Sequence, residues 1–137
     1  MVFIEGNVPS SKNSKIKGKF FSKTVQKYLR SFGIQSFSSR RKEVKGYKTI
    51  EMTFPIEELK EELKSDIYPI KIGFHFVRGS KHKFDFGNVT QILLDLFTSF
   101  DIIPDDNMDY IIPECLTIDD KYYSYNKDNP GVYIKKI

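Results

Sequence analysis

The segment from Asn88 to Phe100 constrains the fold more than any other part of the chain, because its apolar residues recur at helical spacing. The apolar positions follow an i, i+3, i+4, i+7, i+8, i+11 series and are Val89, Ile92, Leu93, Leu96, Phe97 and Phe100. On a helix these positions form one stripe, which is typical of a face buried in a core. In a helical projection Asn88, Gln91 and Asp95 lie on the opposite side. The segment therefore predicts a helix with one buried and one polar face.

Acidic residues flank this predicted helix on both sides. Asp85 stands before it, and Asp105, Asp106 and Asp109 follow it. A helix of this length is roughly 20 Å long, so it separates its two ends, although Asp95 or a second copy of the chain would bridge part of the gap. Asp85 is equally typical of a helix N-cap and Asp105 of a turn residue. The sequence pattern alone leaves a metal site and these structural roles open.

Strand and helix patterns alternate through the rest of the chain. Strands are predicted over residues 1–5, 47–54, 68–77, 109–118 and 131–137, and helices over 22–32, 38–44 and 55–63. Within 68–77 apolar residues alternate with others, which predicts a half-buried strand. At 137 residues the chain is too short for a second independent core. We therefore expect one α/β (α+β) domain, residues 1–137, with a small mixed β-sheet flanked by helices.

The charge of the chain is unevenly distributed. The formal net charge is +4 overall. Residues 1–50 hold twelve Lys and Arg against two acidic residues, residues 51–100 hold six against eight, and residues 101–137 hold four against eight. A basic half beside gathered carboxylates favours a protein that grips a polyanion and holds a metal ion, and a domain with merely uneven surface charge is the alternative.

Other features exclude several classes of protein. No apolar run approaches the roughly 18 residues of a membrane span, and the first residues lack the pattern of a secretion signal. Cys115 is the one cysteine, so neither an internal disulfide nor a cysteine-based zinc site is expected. These features predict a cytoplasmic protein that does not contact a membrane.

The residues expected to contact phosphates form three basic clusters. They are Lys12, Lys15, Lys17 and Lys19 in a loop over 9–20 that we expect to be mobile; Arg40 and Arg41; and Arg78, Lys81 and Lys83 in the turn after the 68–77 strand. His82 in that turn is interpreted as a solvated residue. Three tyrosines, Tyr122, Tyr123 and Tyr125, either stack on exposed bases or cover an edge strand or a dimer seam, and we favour the second interpretation.

The stretch FDFGNVTQILLDLFTSFDIIPDDNMDY, preceded by a strand and a basic turn, resembles RusA-type Holliday junction resolvases. The shared order is Asp-x-x-Asn, a mid-helix Asp, a hydrophobic turn and an Asp-Asp pair, and the early VPSSKN loop resembles the start of that family. The similarity spans most of the chain. It implies a homodimeric, Mg²⁺-dependent endonuclease, with Mn²⁺ as a substitute and no small-molecule cofactor. Such an enzyme resolves four-way DNA junctions by paired symmetric nicks, in recombination and repair in a bacterium or a phage-infected cell.

Residue by residue, the resemblance implies a catalytic set and a metal-binding set. The catalytic set is Asp85, Asn88, Asp95 and Asp106, and the metal-binding set is Asp85, Asp95, Asp105 and Asp106. Two positions depart from the family: Gly87 replaces an aspartate, and Gln91 replaces a lysine that would contact DNA. Lys81, His82 and Lys83 are candidates to hold the phosphate in its place. Two alternatives are a non-catalytic protein that binds branched DNA and a general nucleic-acid-binding domain.

Overall fold

A nine-residue strand, β4 (Ile70–Arg78), lies at the centre of a five-stranded mixed sheet. On one side β7 (Gly131–Lys136) runs antiparallel to β4, and β1 (Val2–Glu5) runs antiparallel to β7. On the other side β5 (Ile111–Cys115) pairs in parallel with the first half of β4, and β6 (Ser124–Tyr125) with its last two residues. The structure is a computed structural model that describes residues 1–10, 15–16, 20–21, 23–34 and 52–137, with side chains at 1–10, 23–34 and 52–137.

Three helices occur in the described ranges: α1 (Lys23–Ser31), α2 (Ile56–Leu63) and α3 (Phe86–Ser99). A small hairpin pairs β2 (Lys15–Ile16) with β3 (Phe20–Phe21). All three helices were expected from the sequence, and α3 begins two residues before the predicted start. The six apolar positions of its predicted stripe are all buried. The expected class, a mixed sheet with helices in an α+β fold, is confirmed.

The core lies between β4 and α3 and is rich in aromatic rings. Phe74 of β4 stacks on Phe97 of α3 with 6.4 Å between ring centroids, and Phe76 meets Phe86 edge to face at 6.0 Å. Phe54 joins the same cluster and contacts Phe97 at 6.5 Å. Aromatic pairs at these separations add a geometric preference to the burial of their area. They fix the position of α3 against the sheet.

The half-buried pattern predicted for the central strand is wrong. Every residue from Ile72 to Arg78 is buried, so both faces of this part of β4 are covered. The chain after β5 and the last residue of the sequence cover the second face: a Cβ on Gly73 would lie 2.8 Å from Ile137 Cδ1 and 3.1 Å from Leu116 Cβ. On the same face the buried His75 meets Leu116 O at 2.8 Å through Nδ1 and Ser124 Oγ at 2.6 Å through Nε2.

Other strand predictions differ in extent. The strand expected over 109–118 is limited to β5, and the segment 119–130 contains the unpredicted β6. Of the strand expected over 47–54, residues 52–54 are not extended in a sheet, and 47–51 lie outside the described residues, as does the helix expected over 38–44. Lys12, Lys17, Lys19, Arg40 and Arg41 also lie outside them, and only the backbone of Lys15 is described. In the described ranges no helix has the length and apolar character of a membrane span.

Candidate active site

Asp85 is the N-cap of α3. Its backbone is extended (φ −107°), and its Oδ1 accepts a hydrogen bond of 2.8 Å from the backbone N–H of Gly87. A carboxylate here satisfies a free helix N–H and lies at the positive end of the helix dipole. A Cβ added at Gly87 would approach Asp85 Oδ1 to 3.2 Å, so glycine allows the close capping contact. The cap interpretation of Asp85 is thus confirmed.

The C-terminal end of α3 reverses the chain through a Schellman turn. The N–H of Ile102 donates to Phe97 O at 2.8 Å, and the N–H of Asp101 donates to Thr98 O at 3.1 Å. These are the two hydrogen bonds that define this motif, which places its C′ residue in the left-handed region. Asp101 has φ 55° and occupies that position. Ile102 and Ile103 are then buried, which turns the following loop back along the helix.

The returning loop brings Asp106 to the polar face of α3. Gln91 Nε2 donates a 2.8 Å hydrogen bond to Asp95 Oδ1 and another of 2.8 Å to Asp106 Oδ2. The two carboxylate oxygens therefore lie no farther apart than twice 2.8 Å. The bridging amide is neutral, so it does not compensate the two negative charges that it holds together.

Asp105 shapes the loop that presents Asp106. Its Oδ1 accepts from the backbone N–H of Asp106 at 2.7 Å, and its Oδ2 accepts from Asn107 Nδ2 at 3.2 Å. Asn107 Oδ1 in turn accepts from the N–H of Asp109 at 2.9 Å. Side chains that bond to a neighbouring N–H in this way stabilise tight turns. The turn interpretation of Asp105 is confirmed by these contacts.

The structure thus groups Gln91, Asp95 and Asp106, whereas Asp85 lies at the start of the helix. Gln91 follows Asp85 by six positions, a rise of about 9 Å along the helix. Asn88, half-buried, lies between them one turn before Gln91. Within the described residues no group of three or more His, Cys, Asp or Glu side chains is arranged to hold a metal ion.

The carboxylates of Asp95 and Asp106 nevertheless suit a hard divalent cation. Mg²⁺ is commonly held by one or two protein carboxylates while waters complete its octahedral shell. The surrounding sequence is strongly acidic, because residues 84–120 contain nine Asp and Glu and no Lys or Arg. Sequence reasoning placed Gln91 against DNA and did not predict its contact with both carboxylates. Its spacing of four residues from Asp95 on the polar face is the signal that indicates such a contact.

A second feature, which we call the cationic cleft, lies at the end of β4 beside the start of α3. Its volume is about 670 Å³, and it includes the predicted DNA-contacting residues Arg78, Lys81 and Lys83 together with His82. Tyr122, Tyr123 and Tyr125 also line it. Tyr125 belongs to β6, which pairs with the last two residues of β4, and all three tyrosines are exposed. Their position in a cleft with four basic side chains was not predicted.

Comparisons of the chain with protein-family models, with curated proteins and with solved structures found no match in any of the three sets.

Proposed function

We propose that the chain is a Mg²⁺-dependent endonuclease that nicks branched DNA, in the manner that its resemblance to RusA-type Holliday junction resolvases implies. The observation that carries the proposal is the meeting of Asp95 and Asp106 at Gln91. In the family order a mid-helix aspartate is followed by a hydrophobic turn and the closing aspartate pair, and here the turn after α3 brings Asp95 and Asp106 to the same amide. A chance spread of acidic residues along a helix and a loop would not require this contact.

In this proposal Asp95 and Asp106 hold the cation, and Asp85 and Asp105 stay predicted members of the metal-binding set. Bound Mg²⁺ supplies an activated water and offsets the charge that builds on the phosphate oxygens. Gln91 holds the two carboxylates close together. We expect Asn88, one turn earlier on the same helix, to orient a water or a carboxylate through its amide. Lys81 and Lys83 precede α3 and hold the DNA backbone as point charges.

Paired symmetric nicks imply a homodimer, since two cuts related by a two-fold axis need two active sites on a symmetric particle. We expect a solution mass of about twice 16.0 kDa by light scattering. The pathway that the proposal implies is DNA recombination or repair in a bacterial or phage-infected cell.

The first prediction is loss of cleavage without loss of binding in Asp106→Asn. The amide keeps the size of the side chain and removes the charge that a divalent cation needs. Purified protein is incubated with an end-labelled four-way junction and Mg²⁺ or Mn²⁺, and products are resolved on a denaturing gel. We expect paired nicks from the unchanged chain, none after chelation of the metal, and a reduction of about 100-fold or more for Asp106→Asn.

Asp109→Asn is the matched control, because it removes one negative charge from the same loop without touching Gln91. It should cleave as the unchanged chain does. Junction binding with no cleavage at any Mg²⁺ or Mn²⁺ concentration would contradict the proposed activity.

A non-catalytic branched-DNA-binding protein is the second candidate, and Gly87 favours it because that position lacks the family's carboxylate. The Gly87→Asp/Gln91→Lys double variant separates the two candidates. Cleavage that occurs only in this variant supports the binding protein, whereas cleavage by the unchanged chain supports the enzyme. An added side chain at 87 must displace the Asp85 cap by a few tenths of an ångström, so the melting temperature of the variant is measured as well.

A further inference from the structure

We infer that the cationic cleft is a binding site for one unpaired nucleotide of a DNA strand, with the base on its tyrosines and the phosphate on its basic side chains. The inference rests on the proposed function in that it takes DNA as the ligand, and it deepens that function by assigning a second site on the same surface.

The tyrosine side of the cleft offers aromatic rings to a ligand. Tyr122, Tyr123 and Tyr125 are 70%, 56% and 47% exposed. One of these rings is held in place, since Tyr123 packs against Phe84 with 5.1 Å between ring centroids and an interplanar angle of 83°. Exposed rings beside a cationic surface are the features with which proteins stack bases of single-stranded DNA without reading their sequence.

The base of the cleft carries a buried positive charge. Arg78 is 6% exposed, its Nη1 donates a 2.6 Å hydrogen bond to Val8 O, and its guanidinium lies 4.7 Å from the centre of the Phe84 ring. Burial lowers the pKa of Arg78 from its ordinary value, but arginine remains a cation at neutral pH. Among the described residues no carboxylate forms an ion pair with it.

Tyr28, which interacts with Arg78, does not supply the missing negative charge. Its buried hydroxyl has no hydrogen-bond partner among the described residues, and burial raises its pKa far above neutrality, so it stays a neutral phenol. A buried cation with no anionic partner is costly, and an anionic ligand relieves that cost. Lys81, whose Nζ lies 5.4 Å from the Tyr125 ring centre, adds a second cation to the same cleft. This combination selects a ligand with both an aromatic ring and a phosphate.

The size and position of the cleft also suit a nucleotide. A volume of about 670 Å³ lies within the usual range for small-molecule sites, roughly 300–1,000 Å³. Phe84 and Phe86, on either side of Asp85, both line it, so it opens at the start of the helix that carries Asp95. A base inside a duplex cannot enter such a cleft, because it is stacked and paired. A base at a branch point is more easily unstacked.

The test compares two single-stranded probes of equal charge. Fluorescein-labelled hexathymidylate and the same hexamer made of abasic residues are titrated by fluorescence anisotropy at about 100 mM salt with no divalent metal. We expect hexathymidylate to bind about tenfold or more tighter, since stacking one base on an aromatic ring has an effect of this size. Tyr122→Ala/Tyr123→Ala should abolish this preference, and Tyr122→Phe/Tyr123→Phe should retain it. Lys81→Ala/Lys83→Ala should weaken both probes by the same factor.

Equal affinity of the two probes for the unchanged chain, or no affinity for either, would overturn the inference. So would a base preference that survives in Tyr122→Ala/Tyr123→Ala. The melting temperature of the double alanine variant is measured to show that it is folded. If it is lower than that of the unchanged chain, the double phenylalanine variant, which keeps the aromatic rings, is compared with the unchanged chain instead. The experiment needs no cleavage, so it also works with Asp106→Asn. If the protein prefers hexathymidylate but never nicks DNA, the proposed nuclease activity is wrong and the nucleotide site stands. If it cleaves junctions but binds both probes equally, the nucleotide site is wrong and the proposed activity stands.

Discussion

At the residue scale, Gln91 decides how the candidate active site is held together. The sequence identified Asp95, Asp106 and Gln91 separately and related them through a family order. It did not show that one amide bonds to both carboxylates, because the contact joins residues 15 positions apart across a turn. Gln91 occupies the position at which the resolvase family has a lysine. Its neutral N–H groups hold the carboxylates of Asp95 and Asp106 close together. The bridging amide therefore adds no charge of its own to the carboxylate pair.

Removing the Gln91 N–H donors should weaken the contact between the loop that carries Asp106 and helix α3. We predict that Gln91→Met, which has a similar length and no N–H, lowers the free energy of unfolding by about 1 kcal/mol, because two exposed hydrogen bonds are lost and two like charges stay close. Urea denaturation measures the change. Gln91→Lys is the control, since its ammonium donates to both carboxylates and should be no less stable than the unchanged chain. Equal stability of the methionine variant would show that the loop is positioned by its buried isoleucines alone.

At the element scale, short polar elements were harder to predict than long amphipathic ones. The apolar stripe of α3 allowed this helix to be located from the sequence, because six apolar residues recur at the helical period. The two residues of β6 carry no such period, and this strand depends on its pairing with Val77 and Arg78 and on the contact between Ser124 and the buried His75. The burial of both faces of β4 was not predicted for a related reason. Its second face is covered by Leu116 and Ile137, which come from distant parts of the sequence.

The turn at the end of α3 makes a prediction about stability. Asp101 adopts φ 55°, where a side chain costs about 1 kcal/mol relative to glycine. Asp101→Gly should therefore be more stable to unfolding than Asp101→Ala by about 0.5–1 kcal/mol, measured by urea denaturation, because both variants remove the carboxylate with its contacts and only alanine keeps a Cβ at this φ. Equal stability of the two variants would contradict this prediction.

At the scale of the whole molecule, charge separates the two candidate sites. Lys81 and Lys83 lie immediately before α3, and the segment from 84 to 120 that follows is wholly without Lys or Arg. The sequence predicted a basic first part of the chain and gathered carboxylates later. It could not show that Tyr122 and Tyr123 line the same cleft as Lys81 and Lys83, because the intervening chain folds through β5 before returning.

This arrangement predicts how binding responds to salt. The unchanged chain should prefer a four-way junction to a linear duplex of equal length, and its affinity should fall with added salt. In Lys81→Ala/Lys83→Ala the slope of log affinity against log salt should be less steep by about two, roughly one for each lost phosphate contact. Lys64→Ala/Lys71→Ala removes the same charge from surface positions outside the cleft and should keep the slope. Equal affinity for junction and duplex would instead support a general nucleic-acid-binding domain.

The reversal of the chain after α3 has a consequence for how this protein can diversify. Asp85, Gln91, Asp95 and Asp106 lie within 22 consecutive residues, and each contact among them is made by the helix, its Schellman turn and the returning loop. The hydrogen bonds that hold Gln91, Asp95 and Asp106 together thus lie within this segment, which packs on the rest of the protein through the buried face of α3. We therefore expect substitutions at exposed positions elsewhere in the described residues, such as Lys64 and Lys71, to leave the contacts among Gln91, Asp95 and Asp106 in place.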